Sequence, residues 1–322
     1  MRWLLFLLLG LATACDGAGD GAPGPSGPYF ARSMFWNRDV AAEPVARDSA
    51  SILAFLSNAG GWGSGDHLRV DFSFDVLRAD ASTPRRAFTP TSDFYSPDCD
   101  HQEVPLPPGG NVEGEHGYAC SGAGDCHLLV FDDGAGALYE MWRADVGAAF
   151  RGGCLAVWDA RRAYPETLRG DQCASADAAG FPIAPLLFTA DEVAAGEIDH
   201  ALRFVLPADR IGRGFVRPAT HALDSTGPAN APPFGFHLRL RRDYPLGALP
   251  SEGARIVARA LQRHGMYLAD RGVLPLTAQS DRYTAAKWHG LLGERDLDAL
   301  RIEDFEVVEH GDRIAATFHC ER

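Results

Sequence analysis

The 322 residues include 43 Asp and Glu against 30 Lys and Arg, a formal charge of −13, with 46% of the chain hydrophobic. That acidity argues against nucleic acid or an anionic membrane face as a partner, since either calls for a basic surface, while the apolar fraction suffices for a sizeable core. No GxSxG, HExxH or phosphate-binding glycine loop occurs, so the common serine hydrolase, metalloprotease and nucleotide-binding signatures are absent.

Met1 and Arg2 precede the apolar run 3–11, and small residues then lead into Cys15. This is the order of a signal peptide, over residues 1–14. The run is too short to cross a hydrocarbon core that needs about 20 apolar residues. The segment resembles a bacterial lipoprotein signal, with Cys15 where the lipidated N-terminus forms. Leu11 stands one place further from Cys15 than the usual lipobox leucine, which keeps simple secretion as the alternative. Residues 15–27 then form a lipidated Cys and a Gly/Pro-rich flexible tether. The expected product is exported and held at a membrane through its lipid anchor only. Residues 28–322 are read as a single globular domain with a disulfide-rich insertion at about 80–126.

With Cys15 set aside, Cys99, Cys120, Cys126, Cys154, Cys173 and Cys320 remain, and in an exported protein they predict disulfides. Short spacings favour Cys120 with Cys126 and Cys154 with Cys173, leaving Cys320 to tie back to Cys99. Several other connectivities stay open.

Ile52, Leu53, Phe55 and Leu56 after Asp48 predict an amphipathic helix closed by Gly60 and Gly61. From Leu68 to Val76 apolar residues alternate strictly, which predicts a strand with one buried face. Residues 78–126 are crowded with Pro, Gly, Asp and Ser and read as loop. The runs 127–132 and 137–142 flank Asp133-Gly134-Ala135-Gly136 as a hairpin, followed by a strand at 155–159. Thr189 with Glu192 makes a capping box for a short helix ended by Gly196. Short strands follow at 200–206, 215–217 and 236–241, then a helix over 251–264 stopped by Gly265 and a strand at 266–269. A helix over 288–300 and strands at 305–308 and 314–319 complete a mainly β, α+β chain, an antiparallel β-sandwich or jelly-roll-like domain.

The stretch 176–221 is the best candidate site, because a short helix, strands, two histidines and several arginines fall close together there. In 200–206, Leu202, Phe204 and Leu206 share a face with His200, and Arg203 lies on the other. In 236–241, His237, Arg239 and Arg241 oppose Phe236, Leu238 and Leu240. Were these strands neighbours, Arg203, Arg217, His237, Arg239 and Arg241 would line one concave basic face suited to an anionic ligand. The competing reading is a solvated face paired with acids such as Asp199, Asp209 and Asp243. Histidine suits proton transfer near neutral pH, so His200 and His221 are catalytic candidates, although a His at a strand end is more often structural.

Other clusters weaken on inspection. His116, Cys120, Cys126 and His127 have a zinc-site composition, but cysteines in an oxidising compartment pair first. Asp98, Asp100, His101 and Glu103 match no calcium loop. The reading therefore assigns neither a metal nor a cofactor.

The pieces FPIAPLLFTADEVAAGEIDHALRF, RPATHALDSTGPANAPPFGFHLRL and ARIVARALQRHGMYLADRG resemble a group of secreted bacterial and fungal proteins with no assigned activity. The resemblance covers about the second half of the chain. It implies extracellular work and a shared fold, and carries no catalytic residue onto this sequence.

Two functions are expected. One is an enzyme acting on an extracellular polysaccharide. As a lyase of an acidic glycan it would use Arg203 and Arg217 to neutralise a uronate, and His200, His221 or Tyr267 to move the proton. His237, Arg239 and Arg241 would bind the chain. As a glycoside hydrolase it would need two nearby carboxylates, with Glu140, Asp159, Glu197 and Asp270 as possible sources that nothing in the sequence pairs. The other is a non-catalytic envelope lipoprotein binding glycan or another surface component, stacking sugars on Trp36, Trp62 or Trp142.

Overall fold

The computed structural model describes residues 29–122 and 124–322. The signal peptide, Cys15 and the tether lie outside the described residues. No helix among the described residues is long and apolar enough to cross a membrane.

The chain is mainly β, with two larger sheets and two small ones of two and three strands rather than a closed barrel, and three α-helices among the described residues: α1 (Ser49–Asn58), α2 (Ala190–Ala195) and α3 (Glu252–Arg263). The larger sheet uses β1 (Val70–Phe74), β6 (Leu202–Leu206), β7 (His237–Leu240), β8 (Met266–Arg271), β9 (Leu276–Gln279) and β10 (Phe305–Val307), ordered β1-β9-β6-β8-β7-β10. The smaller uses β2 (Val76–Ala79), β3 (Leu128–Asp132), β4 (Ala137–Trp142) and β5 (Cys154–Asp159), ordered β5-β4-β3-β2. Pairing is mixed rather than wholly antiparallel: β1 with β9, β6 with β8 and β2 with β3 run parallel.

The smaller sheet is buried on both faces. Leu129 and Phe131 of β3 turn into the main core, while Leu128 and Val130 turn into a second one. The insertion closes that second core with Phe88, Val104, Leu106 and Val112. It thus acts as a cover for a sheet face, which is why β3 shows no polar alternation.

α3 and the capping box of α2 form as the sequence predicts: Thr189 Oγ1 accepts from Glu192 N, and Gly196 ends the helix at φ +93°. Three expected elements do not form. Residues 288–300 are turns, because Gly290 sits at φ +82° and Trp288 Nε1 donates to Gln279 O. Residues 215–217 and 314–319 meet only at the isolated bridge between Phe215 and Ile314, and Phe318 leaves extended geometry at φ +58°.

The disulfides are Cys99–Cys154, Cys120–Cys126 and Cys173–Cys320, as expected of an oxidising compartment. The expected Cys154–Cys173 and Cys99–Cys320 pairs are corrected. Chain separation is a weak guide, since doubling a loop costs only about 0.6 kcal/mol, and local pairing decides instead. Asp100 N donates to Leu155 O and sets Cys99 beside Cys154, while Asp171 and Glu321 exchange backbone hydrogen bonds and set Cys173 beside Cys320.

Candidate functional site

The site begins with a tight turn over residues 175–180. Ser175 Oγ donates to Phe181 O, Asp177 N donates to Ser175 Oγ, and Gly180 N returns to Asp177 O. Gly180 stands at φ +79°, and an added Cβ would lie 2.1 Å from Thr220 Oγ1, so the turn needs glycine. Two neighbours grip it: Ala179 N donates to Ala269 O of β8, and Thr220 N donates to Ala179 O. The end of β8, the turn and the Thr220–His221 pair are thereby locked together.

Arg203 reaches into this junction from β6. Its Nε and Nη2 donate to Asp177 Oδ1 at 3.1 and 2.7 Å, and Nη2 also donates to Asp270 Oδ2 at 3.2 Å. Both carboxylate oxygens therefore lie within about 6 Å of each other, a bound that admits the roughly 5–5.5 Å spacing of paired carboxylates in retaining glycosidases. A register shift makes this possible. Phe204 pairs with Leu268 but Val205 pairs with Asp270, so Ala269 is an extra residue on β8. The bulge turns Asp270 onto the face that carries Arg203.

The two acids differ in environment. Burial pushes the Asp177 carboxyl up to about 8, opposed by Arg203 and reinforced by the charge of Asp270. Its Oδ2 is buried without a hydrogen-bond partner. Asp270 is more open, with its side chain 16% exposed, and its Oδ1 accepts from Arg271 N.

Above this pair lies a cleft. A cavity of about 230 Å³ is lined by Asp177, Asp270, Asp125, Trp142, Tyr95 and His221, and a second of about 520 Å³ adjoins it through Tyr95, His221 and Leu223. The second is walled by Phe318, His319 and Cys320, a segment clipped to Cys173. The second falls in the volume range of small-ligand sites, about 300–1,000 Å³, and the first lies below it. Tyr95 is 40% and Phe318 54% exposed at the rim.

His221 is the one expected catalytic residue that lines the cleft. Its Nδ1 donates to Ala178 O at 2.9 Å, which leaves Nε2 as the acceptor in the neutral ring. Burial lowers its pKa, so the ring is neutral near pH 7. Phe318 packs edge-on against it at 5.6 Å.

The other candidates lie elsewhere. His200 is buried between Glu192 and Ala201 O, a structural ion pair in which Glu192 outweighs burial and raises its pKa. Tyr267 is buried and stacks on His237 at 3.9 Å. His237 donates to His264 O, and burial drops its pKa to about 3. Arg217 pairs with Asp171, and Arg241 with Asp243 at the surface.

The expected open basic face is therefore corrected. Arg203 and Arg239 do share the β7–β8–β6 face that the alternation assigned them, but the segment 35–43 covers it. Phe35 packs on Tyr267, and Arg239 is tied to Glu306 and to the carbonyls of Val40 and Glu43. Each of these arginines is already held by a carboxylate, which leaves none of them open to a uronate.

Among the expected carboxylate sources only Asp270 lines the cleft. Glu140 is wholly buried, accepting from Ile183 N, Ala184 N and Trp158 Nε1, and burial raises it to about 7. Asp159 and Glu197 pair with Arg161 and Arg263 at the surface. Trp36 and Trp62 are core, whereas Trp142 reaches the cleft.

Asp177 and Tyr95 escaped the sequence reading. The signal for Asp177 was the Ser175–Gly180 string itself, an acid inside a glycine-closed turn. Tyr95 sits in an irregular segment and offers no periodicity. No cluster of three His, Cys, Asp or Glu suited to a metal occurs among the described residues.

The chain matches no protein-family model, no curated protein and no solved structure.

Proposed function

We propose that this is an exported protein, tethered by lipid at Cys15, that hydrolyses an extracellular polysaccharide in the cleft above Asp177 and Asp270. The observation that carries the reading is the pair itself: two carboxylates on one guanidinium, one buried with its pKa raised and one facing the cleft. Divergent environments of this kind separate an acid from a base.

In this mechanism Asp177, protonated, gives its proton to the glycosidic oxygen as the C1–O bond breaks, and Asp270 attacks C1 to form a glycosyl ester. Water then attacks C1, Asp177 takes a proton from it, and Asp270 leaves as carboxylate. Arg203 orients Asp270 through the hydrogen bond from Nη2 to Oδ2. Tyr95, Trp142 and Phe318 supply faces on which sugar rings stack. A lyase of an acidic glycan is disfavoured, because its neutralising arginines are tied up by carboxylates.

The deep burial of the Asp177 side chain favours a second reading, glycan binding without cleavage. Incubating the purified protein with a panel of neutral, aminated and uronate polysaccharides separates them. Hydrolysis releases reducing ends at a rate that Asp270→Asn lowers by roughly 10²–10⁴-fold. Retention on an insoluble glycan without reducing ends supports binding alone, and an unsaturated product absorbing in the ultraviolet would restore the lyase.

A further inference from the structure

His221 stands where the two cavities meet. It lines both, together with Tyr95 and Leu223, and of the three it alone is buried, at 4% exposure. Nδ1 is spent on the turn, donating to Ala178 O, and Phe318 packs against the ring. Nε2 makes no hydrogen bond or ion pair with any described residue. The junction of the cleft thus holds a buried side chain with one nitrogen anchored and the other, a lone-pair acceptor, left for whatever enters.

Charge does not decide what that is. Asp98 and Asp125 accept from Ala174 N and Trp142 Nε1, Asp224 lies on the same wall, and Arg271 also lines the cleft, donating to Asp224 O at 3.5 Å. Walls of both signs select neither a polyanion nor a polycation. A neutral acceptor does discriminate. It takes a hydroxyl or an amide N–H, and its lone pair is stranded when the facing group has no hydrogen to give. Stranding of this kind is how a polar site rejects analogues that lack a donor.

We propose that His221 is a specificity-determining residue of the cleft, whose Nε2 accepts from a free hydroxyl of the sugar next to the one above Asp270. The chain then passes from the smaller cavity into the larger across this ring. This rests on the cleft being the glycan site. The substrate class is a polysaccharide free of O-alkyl and O-acyl groups at that sugar, since an ether or ester presents no hydrogen to Nε2.

Two substitutions separate the two nitrogens. His221→Asn keeps an amide nitrogen near the place of Nδ1 and removes the acceptor. His221→Gln sets an amide oxygen near the place of Nε2 and gives up the bond to Ala178. The purified protein and both variants are titrated by calorimetry with hexamers of glucose, glucosamine and galacturonate, each beside its O-methylated form. For the hexamer that binds, His221→Asn should weaken affinity about five- to tenfold, the worth of one neutral hydrogen bond. It should leave the weaker binding of the O-methylated form unchanged. His221→Gln should hold affinity within about twofold although its melting temperature falls. No loss in His221→Asn, a greater loss in His221→Gln, or equal losses for free and O-methylated forms would show that His221 only tethers the turn. Any of these overturns this inference and leaves the glycan reading standing. Binding of none of the free hexamers by the unaltered protein overturns the glycan reading, and this inference with it.

Discussion

Asp177 and Asp270 meet at a single nitrogen, Nη2 of Arg203, although one comes from a turn and the other from the end of a strand. Removing either acid has a different consequence. Asp177→Asn replaces a wholly buried carboxyl that accepts two hydrogen bonds from Arg203 with an amide, which costs about 1–3 kcal/mol. Asp270→Asn, at a partly exposed position, should cost much less and yet lower turnover by roughly 10²–10⁴-fold. Urea denaturation of both variants beside the reducing-end assay checks this, and equal destabilisation would show that the pair is structural.

His127 holds the turn from below, donating from Nε2 to Ala176 O at 3.1 Å while Nδ1 faces Glu113 at 2.6 Å. Burial works against its charged form, but Glu113 outweighs that and lifts its pKa from 6.5 to about 9. The resulting stabilisation is fully present below pH 6.5 and is lost as pH rises through 9, on the order of 3 kcal/mol. Asp177, raised from 3.8 to about 8, and Glu140, raised from 4.5 to about 7, act in the same sense. The native protein should weaken from pH 5 to pH 9, and His127→Gln should flatten the limb above pH 6.5. Superimposable profiles for the two proteins would refute the assignment.

Gly180→Ala puts a Cβ 2.1 Å from Thr220 Oγ1 at a φ of +79°. The turn must shift and carry Asp177 and His221 with it, at a cost of about 1–3 kcal/mol. Melting temperature and glycan affinity should both fall. Unchanged affinity would mean that the turn does not position the site.

Cys173–Cys320 closes a loop of 147 residues, so replacing both cysteines by serine should cost about 2–5 kcal/mol. It also frees the segment bearing Phe318 from the rim of the cleft. Limited proteolysis should then cut near residue 318, and a protease-resistant segment would show that other contacts hold the wall.

Local patterns carried much of the fold and little of the site. The capping box at Thr189, the strand at 202–206 and the arginine side of the β7 strand were legible, because each depends on neighbours in sequence. Asp270 was not assignable, since simple alternation puts it on the core face with Leu268 and only the extra residue at Ala269 turns it round. The basic face was misread because periodicity tells which side a residue takes, not what covers it. Here residues 35–43 and Glu306 cover it, and they lie far away in the chain. His221 was found from its residue type alone; its partners Ala178 and Phe318 come from other segments.

The Cys173–Cys320 clip also gives the cleft a place and a time. Its outer wall depends on a cysteine translated 147 positions after its partner and on thiols that the cytoplasm keeps reduced. Closure of that wall is therefore tied to the oxidation of this one cysteine pair, so a reducing medium should loosen the rim of the cleft and leave the carboxylate pair on the sheet in place.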